Sequence, residues 1–219
     1  MSDMRKVTVV IPCYNQEEYL FEAVESALQQ TVPCEIMIVD DGSEEDVENM
    51  WDDLDNLVLI RQNNKGLSAA RNTGIKYAKT DYILPLDADD IIHKDYIKET
   101  LGKGDIVTVQ QKEFGDSDTL WRVGDDFSEE AFKTANRANC CSLYKKSMWE
   151  EIGGYDENMK EGYEDWDFWL RAVKAGYKFE CIHKPLFFYR KHGHSMIDDA
   201  YAKHDKILKY IIDKNYATI

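Results

Sequence analysis

The chain has 219 residues, a formal net charge of −15 and 43% hydrophobic residues, which is an ordinary composition for one soluble globular domain. The acidic excess argues against nucleic acid as a partner and against docking on anionic lipid through overall charge. No apolar run approaches the roughly 20 residues that cross a bilayer, and residues 1–6 lack the apolar core of a signal peptide. We therefore predict a cytoplasmic protein with no transmembrane segment, and peripheral contact with the inner face of a membrane stays open.

The five cysteines predict neither a disulfide framework nor a zinc site. Their number is odd, Cys140 and Cys141 are adjacent, and no two of them form a CxxC pair. Buried, reduced thiols in a cytoplasmic protein are the simplest interpretation.

Strand and helix patterns alternate through the first hundred residues. Short apolar runs predict strands at 7–11, 35–39, 57–60 and 82–86. Helical spacing predicts a first helix capped by Asn15, a polar helix from Glu44 to Asp53, and a third from Gly66 to Lys79. This alternation predicts an α/β fold with a mostly parallel central sheet flanked by helices.

The second half is less regular. We predict strands at 105–110, 119–123 and 140–144 and near Phe179 and Phe187, and helices at 162–175 and 198–215. No linker or repeat divides the chain. We predict a single domain over 1–219, with a nucleotide-binding half at about 1–100, a smaller and less regular half at about 101–195 and a C-terminal helix over 196–219.

Polar residues follow three of the predicted parallel strands, where ligands bind in open α/β sheets. An aromatic ring beside a carboxylate suits a nucleotide base, because Tyr14 could stack on the base and an aspartate could accept its imino N–H. Packing of Tyr14 and a strand-ending turn at Asp40-Asp41-Gly42 are the alternatives. The three segments are Pro12-Cys13-Tyr14-Asn15, Asp40-Asp41-Gly42-Ser43 and Asp87-Ala88-Asp89-Asp90.

Three acids lie within four residues in the last of these segments. Crowded carboxylates repel one another, and a divalent cation that carries a phosphate ligand would relieve this repulsion. A solvated turn with an aspartate that caps the next helix is the alternative. Neither GxGxxG nor GxxxxGK[ST] occurs, so a bound phosphate would need another counter-charge, such as a metal.

Together these motifs resemble those of the family 2 glycosyltransferases, which have a GT-A fold. The resemblance spans roughly residues 5–195. It is carried, in order, by the segments 9–15, 38–43, 63–74 (Asn-Asn-Lys-Gly-Leu-Ser-Ala-Ala-Arg-Asn-Thr-Gly), 86–90, 153–156 (Gly-Gly-Tyr-Asp) and 162–167 (Gly-Tyr-Glu-Asp-Trp-Asp).

The resemblance implies a nucleotide-diphosphate sugar donor, with UDP preferred, and a divalent metal, Mn²⁺ or Mg²⁺. It places Asp87 near the ribose and Asp89 on the metal. Arg71 would lie near the nucleotide or the phosphates, and a surface helix arginine is its alternative. The other implied donor-binding residues are Pro12, Tyr14, Asn15, Ala88 and one of Asp40 or Asp41.

The resemblance also implies an inverting transfer in which Asp165 is the catalytic base. A helix N-terminal acid that complements the dipole is the alternative for this residue. His192, or as second choice His194, would complete the metal shell. Three tryptophans offer an acceptor-sugar platform, with core packing as the alternative: Trp149, Trp166 and Trp169.

The chain has no Arg-Trp pair, and so lacks the QxxRW motif of processive synthases of this family. The implied enzyme adds one sugar per encounter to a hydroxyl of a glycan or of a lipid-linked saccharide. The half of the domain at about 101–195 would bind this acceptor. Whether it forms a homodimer stays open. A non-catalytic sugar-nucleotide-binding module and a nucleotidyltransferase are the alternative functions.

Overall fold

The computed structural model describes residues 6–45, 47, 50, 51, 54–193 and 195–217. Within these residues, nine strands form one sheet in the order β3-β2-β1-β4-β8-β6-β9-β5, with β7 paired to β6. The strands are β1 Val7–Cys13, β2 Glu35–Asp40, β3 Leu57–Arg61, β4 Tyr82–Pro85, β5 Ile91–Ile92, β6 Ile106–Gly115, β7 Leu120–Trp121, β8 Leu143–Lys145 and β9 Phe179–Lys191.

Helices cover both faces of this sheet. They are α1 Glu17–Leu28, α2 Leu67–Tyr77, α3 Tyr96–Thr100, α4 Glu129–Phe132, α5 Lys146–Ile152, α6 Glu164–Lys174, α7 Met196–Ala202 and α8 His204–Tyr216. No helix among the described residues is long and apolar enough to span a membrane.

The first four strands are parallel and form the half of the sheet that was predicted from apolar runs. All seven residues of β1 are buried, as expected for a central strand with a helix layer on each side. Alternate residues enter two separate cores: Val10 and Val39 face one, whereas Val9 and Ile38 face the other. Gly74 lets α2 approach closely, since a Cβ there would lie 2.5 Å from Val10 Cγ1.

The second half extends the sheet through β8, which pairs antiparallel with both β4 and β6. The long ladder between β6 and β9 is parallel, and its register shifts on both sides of Gln110. The antiparallel ladders are short, with two residue pairs each, so most pairing is parallel as predicted. The strand expected at 105–110 continues to Gly115, and those expected near Phe179 and Phe187 are one strand.

Three local predictions are wrong. Residues 44, 45, 47, 50 and 51 are not helical, and the rest of the helix predicted over 44–53 lies outside the described residues. Asn15 does not cap α1; it has a positive φ of 51°, and its Oδ1 accepts a hydrogen bond from the Glu44 amide at 2.9 Å. The C-terminal helix predicted over 196–219 is two helices, because Lys203 leaves helical geometry at φ −115°, ψ 15°.

Candidate active site

The residues predicted to bind the nucleotide lie where β1 and β2 end. Pro12 is buried in β1, whereas the Tyr14 side chain beyond the strand is 48% exposed and free to stack on a ligand. Asn15 joins this loop to the next one through Glu44, and its own amide donates to Ser43 Oγ at 3.0 Å. The strand end therefore presents one open aromatic ring on a hydrogen-bonded loop.

Asp40 and Asp41 are both buried and bound by the protein itself. The Ser43 amide donates to Asp40 Oδ1 at 2.8 Å, and the Arg61 guanidinium lies 3.3 Å from Asp40 Oδ2. Asp41 accepts hydrogen bonds from the backbone amides of residues 65 and 66, at 3.0 and 2.7 Å. These carboxylates fix the loops that follow β2 and β3, and the contact of either with a base stays a prediction.

Arg71 joins the two halves of the protein. Its side chain is 1% exposed, so the alternative of a surface arginine is wrong. One terminal nitrogen lies 2.5 Å from Asp87 Oδ1, beyond β4, and the other lies 2.5 Å from Glu164 Oε1, at the start of α6. Helix α2 therefore holds the positively charged guanidinium of Arg71 between Asp87 of the first half and Glu164 of the second.

The three acids of the acidic cluster, Asp87, Asp89 and Asp90, each contact a different partner. Asp89 Oδ2 lies 3.0 Å from His192 Nε2, which brings together the two residues predicted to bind metal. Ala88, between Asp87 and Asp89, is fully buried. His194, the second choice for the metal, lies outside the described residues.

Asp90 is a fully buried acid, not a helix cap: Asp95 occupies the N-cap position of α3. Its Oδ1 accepts a hydrogen bond from the Arg190 amide at 2.8 Å, while its Oδ2 has no protein partner. Burial and the neighbouring carboxylates raise the pKa of Asp90 well above its usual range. The pKa of Asp89 is also raised, by burial and by Asp87, and His192 opposes that shift.

These acids fit a divalent cation. Among the described residues, Asp87, Asp90 and Cys140 bring one ligand atom each to within 4.8 Å of one another, and this group contains neither Asp89 nor His192, the pair predicted to bind the metal. The unpartnered buried oxygen of Asp90 is a site where a cation would replace lost hydration. Carboxylate oxygens are the ligands that Mg²⁺ and Mn²⁺ prefer.

Asp165 lies in the first turn of α6 and is partly exposed. Asn136 donates a hydrogen bond to its Oδ2 at 2.8 Å, and the Trp166 amide donates to its Oδ1, also at 2.8 Å. Burial first, and then the charge of Glu164, raise the pKa of Asp165 to about 7, against the opposing effects of Arg71 and Asn136. Such a carboxylate is balanced to accept a proton near neutral pH.

Asn136 was not predicted, because a single asparagine in an irregular segment has no spacing that marks it.

The tryptophan platform was predicted, and for two of its members the packing alternative holds. Trp166 and Trp169 are 3% and 0% exposed, and Trp166 Nε1 donates to the Phe132 carbonyl at 2.6 Å. Trp149 is only partly buried and donates to Asn72 Oδ1 at 3.0 Å.

The chain matches the model of "Glycosyl transferase family 2" over residues 8–153, and that of "Glycosyltransferase like family 2" over residues 130–211. It is 32% identical to the uncharacterized glycosyltransferase YwdF of Bacillus subtilis, over 77% of this chain and 68% of that protein. It is 33% identical to the glucosyl-dolichyl phosphate glucuronosyltransferase of Haloferax volcanii, over 70% of this chain and 56% of that one.

The fold is similar to that of S. aureus TarS residues 1–349, solved in complex with UDP-GlcNAc, with a TM-score of 0.72 and 19% sequence identity. This match covers 98% of the chain and 68% of the TarS structure. The fold and the family models together define a GT-A glycosyltransferase. The chain belongs to glycosyl transferase family 2.

Proposed function

We propose that this glycosyltransferase moves a sugar from a nucleotide-diphosphate sugar to a hydroxyl of a glycan or of a lipid-linked saccharide, with inversion at the anomeric carbon. The observation that carries the proposal is Asp165, a partly exposed carboxylate in the first turn of α6 that Asn136 and the Trp166 amide hold in place. It is joined to the donor-side acid Asp87 through Glu164 and Arg71. The similar fold of TarS, which was solved with UDP-GlcNAc, supports a UDP-sugar donor. The name of the H. volcanii relative supports a lipid-linked acceptor.

On the donor side, Tyr14 stacks on the base and one of Asp40 or Asp41 contacts it, while both carboxylates order the surrounding loops. Asp87 orients the ribose from a position that Arg71 holds. Asp89 and His192 are the residues that would bind a divalent metal at the diphosphate. When bound, this cation would neutralise charge on the departing diphosphate.

On the acceptor side, Asp165 takes the proton of the attacking hydroxyl. The acceptor oxygen forms its bond to the anomeric carbon as the bond to the diphosphate oxygen breaks, and the electron pair leaves with the nucleoside diphosphate. One displacement of this kind inverts the configuration, and no acid is needed for the leaving group. The hydrogen bond from Asn136 holds the carboxylate in place.

The transfer rate should rise with pH up to about 7 and level off above it, because only ionised Asp165 accepts the proton. Below that pH, kcat/KM should fall about tenfold per pH unit. Replacing Asn136 by alanine removes a donor that stabilises the ionised form, so the midpoint should move to higher pH. A pH profile of kcat/KM that is the same in wild type and N136A contradicts this assignment.

Donor binding should depend on the acidic cluster. Calorimetry with UDP should show tighter binding in the presence of Mn²⁺, and Asp89→Ala should remove most of that gain. Asp118→Ala, which changes a 93% exposed aspartate in the turn between β6 and β7, is the control and should bind UDP as wild type does. Equal UDP binding with and without Mn²⁺, and wild-type behaviour of D89A, would refute the metal assignment.

A further inference from the structure

A second cluster of ligand-type side chains lies at the start of β9, whereas His192 follows the other end of this strand. Cys181 Sγ lies 3.7 Å from His183 Nδ1, and His183 Nε2 lies 3.0 Å from Asp125 Oδ1. All three residues offer one ligand atom each within 4.8 Å of the others. None of them takes part in the donor or acceptor side described above.

The amide nitrogen of Gln110 occupies the point on which this cluster converges. It lies 3.0 Å from the Val123 carbonyl oxygen, 3.0 Å from His183 Nδ1 and 3.5 Å from Cys181 Sγ. Three atoms with lone pairs, one oxygen, one nitrogen and one sulfur, thus surround a single donor group. The NH₂ group can donate to two of them, and the Cys181 thiol, whose Sγ lies 3.9 Å from the Val123 carbonyl oxygen, offers one further hydrogen.

The other end of the same amide is unsatisfied. Gln110 is 3% exposed, and its buried Oε1 has no hydrogen-bond partner. Rotating the amide by half a turn does not solve the problem, since it would place Oε1 against the Val123 carbonyl with no proton between them. With the amide turned in this way, a cation bound between Oε1, the Val123 carbonyl oxygen, the sulfur and the imidazole would satisfy both oxygens.

We propose that Cys181, His183 and the oxygen ligands around Gln110 bind a borderline-soft transition-metal ion, for which Zn²⁺ is the probe. Thiolate and imidazole ligands select this class of metal over Mg²⁺. The separation of 3.7 Å between Sγ and Nδ1 matches that of two neighbouring ligands on a tetrahedral zinc. The spacing Cys-x-His on one strand is not a CxxC pair, which is why cysteine spacing alone predicted no zinc site.

Asp125 has the role of a positioning residue in this site. Its carboxylate lies 3.0 Å from His183 Nε2 and would accept a proton from that nitrogen, leaving Nδ1, 3.7 Å from the thiol, free to bind the metal. Carboxylate–histidine pairs of this kind orient metal-binding imidazoles in many proteins. The metal would thereby join β9 to the segment after β7 that carries Val123 and Asp125.

Cobalt, which replaces zinc in such sites, gives the direct test on the whole chain. Stoichiometric Co²⁺ should produce a near-ultraviolet sulfur-to-cobalt charge-transfer band, and Zn²⁺ should displace it. Cys181→Ser should abolish this band. Cys140→Ser is the matched control, because Cys140 is the other cysteine beside potential ligands, and this variant should keep the band.

The remaining ligands are tested by competition for Zn²⁺. We expect Asp125→Asn to weaken Zn²⁺ binding about 10- to 100-fold, and His183→Ala to weaken it further. His93→Ala is the control, since His93 lies 3.9 Å from Asp95 without a nearby cysteine, and it should bind Zn²⁺ as wild type does. The UDP affinity of C181S should equal that of wild type. Absence of the band in wild type, or its persistence in C181S, refutes the site and leaves the proposed function untouched.

Discussion

Replacing Asp165 by asparagine should lower kcat for sugar transfer by roughly 10²- to 10⁴-fold, the usual contribution of a positioned general base. Asparagine keeps the size of the side chain, and its one oxygen can still accept the hydrogen bond from the Trp166 amide. Its NH₂ group faces the Asn136 amide, which must turn to present its oxygen, and it cannot take the acceptor proton. UDP affinity should change little, because the donor-side residues are untouched. Release of UDP in the presence of acceptor, and calorimetry with UDP alone, measure the two quantities separately.

The matched control is Asp118→Asn, which makes the same chemical change at an exposed position in the turn between β6 and β7. It should transfer at the wild-type rate. A thermal melt of D165N shows whether the variant is folded. Wild-type turnover by folded D165N would remove Asp165 from the mechanism, while loss of UDP binding would show that the residue acts through the structure of the site.

Replacing Arg71 by methionine should destabilise the protein by about 3–5 kcal/mol, the typical cost of breaking a buried ion pair by removing one partner. Methionine fills a similar volume, yet it leaves Asp87 and Glu164 without their shared cation. Glu164 is itself 6% exposed, so water does not replace the lost partner. Urea unfolding at constant pH measures the change in the free energy of unfolding.

A second substitution separates charge from packing. The double variant Arg71→Met with Glu164→Gln no longer has the unpaired negative charge of Glu164. It should therefore be more stable than the sum of the two single effects predicts. Arg122→Met is the control for an exposed arginine and should cost less than about 0.5 kcal/mol. An R71M variant as stable as R122M would show that the ion pairs contribute nothing net.

The parallel half of the fold could be predicted because strands buried on both faces are continuous apolar runs. This holds for β1, β2 and β4, whose ends the sequence placed within a residue or two. It fails for β9, where buried and exposed residues do not alternate regularly. Its length depends on pairing with β6, and such long-range pairing leaves no local pattern.

The candidate site could be predicted only in part, for a similar reason. Asp87, Asp89 and Asp165 were marked by motifs, and the structure adds that His192 contacts Asp89. The partnership of Arg71 with Glu164 and the contact of Asn136 with Asp165 depend on tertiary structure. Asn15 shows the opposite error, since its helix-capping chemistry is overridden by a left-handed backbone and a contact with Glu44.

The ion pair between Arg71 and Glu164 joins residues 93 positions apart. During synthesis the chain emerges from its N-terminus, so Arg71 and Asp87 leave the ribosome well before Glu164 and Asp165. Closing a loop of this length costs entropy that later contacts must offset. We therefore expect Asp87 and Glu164 to come together late in folding, and a chain that stops before Glu164 would lack the proposed base, Asp165.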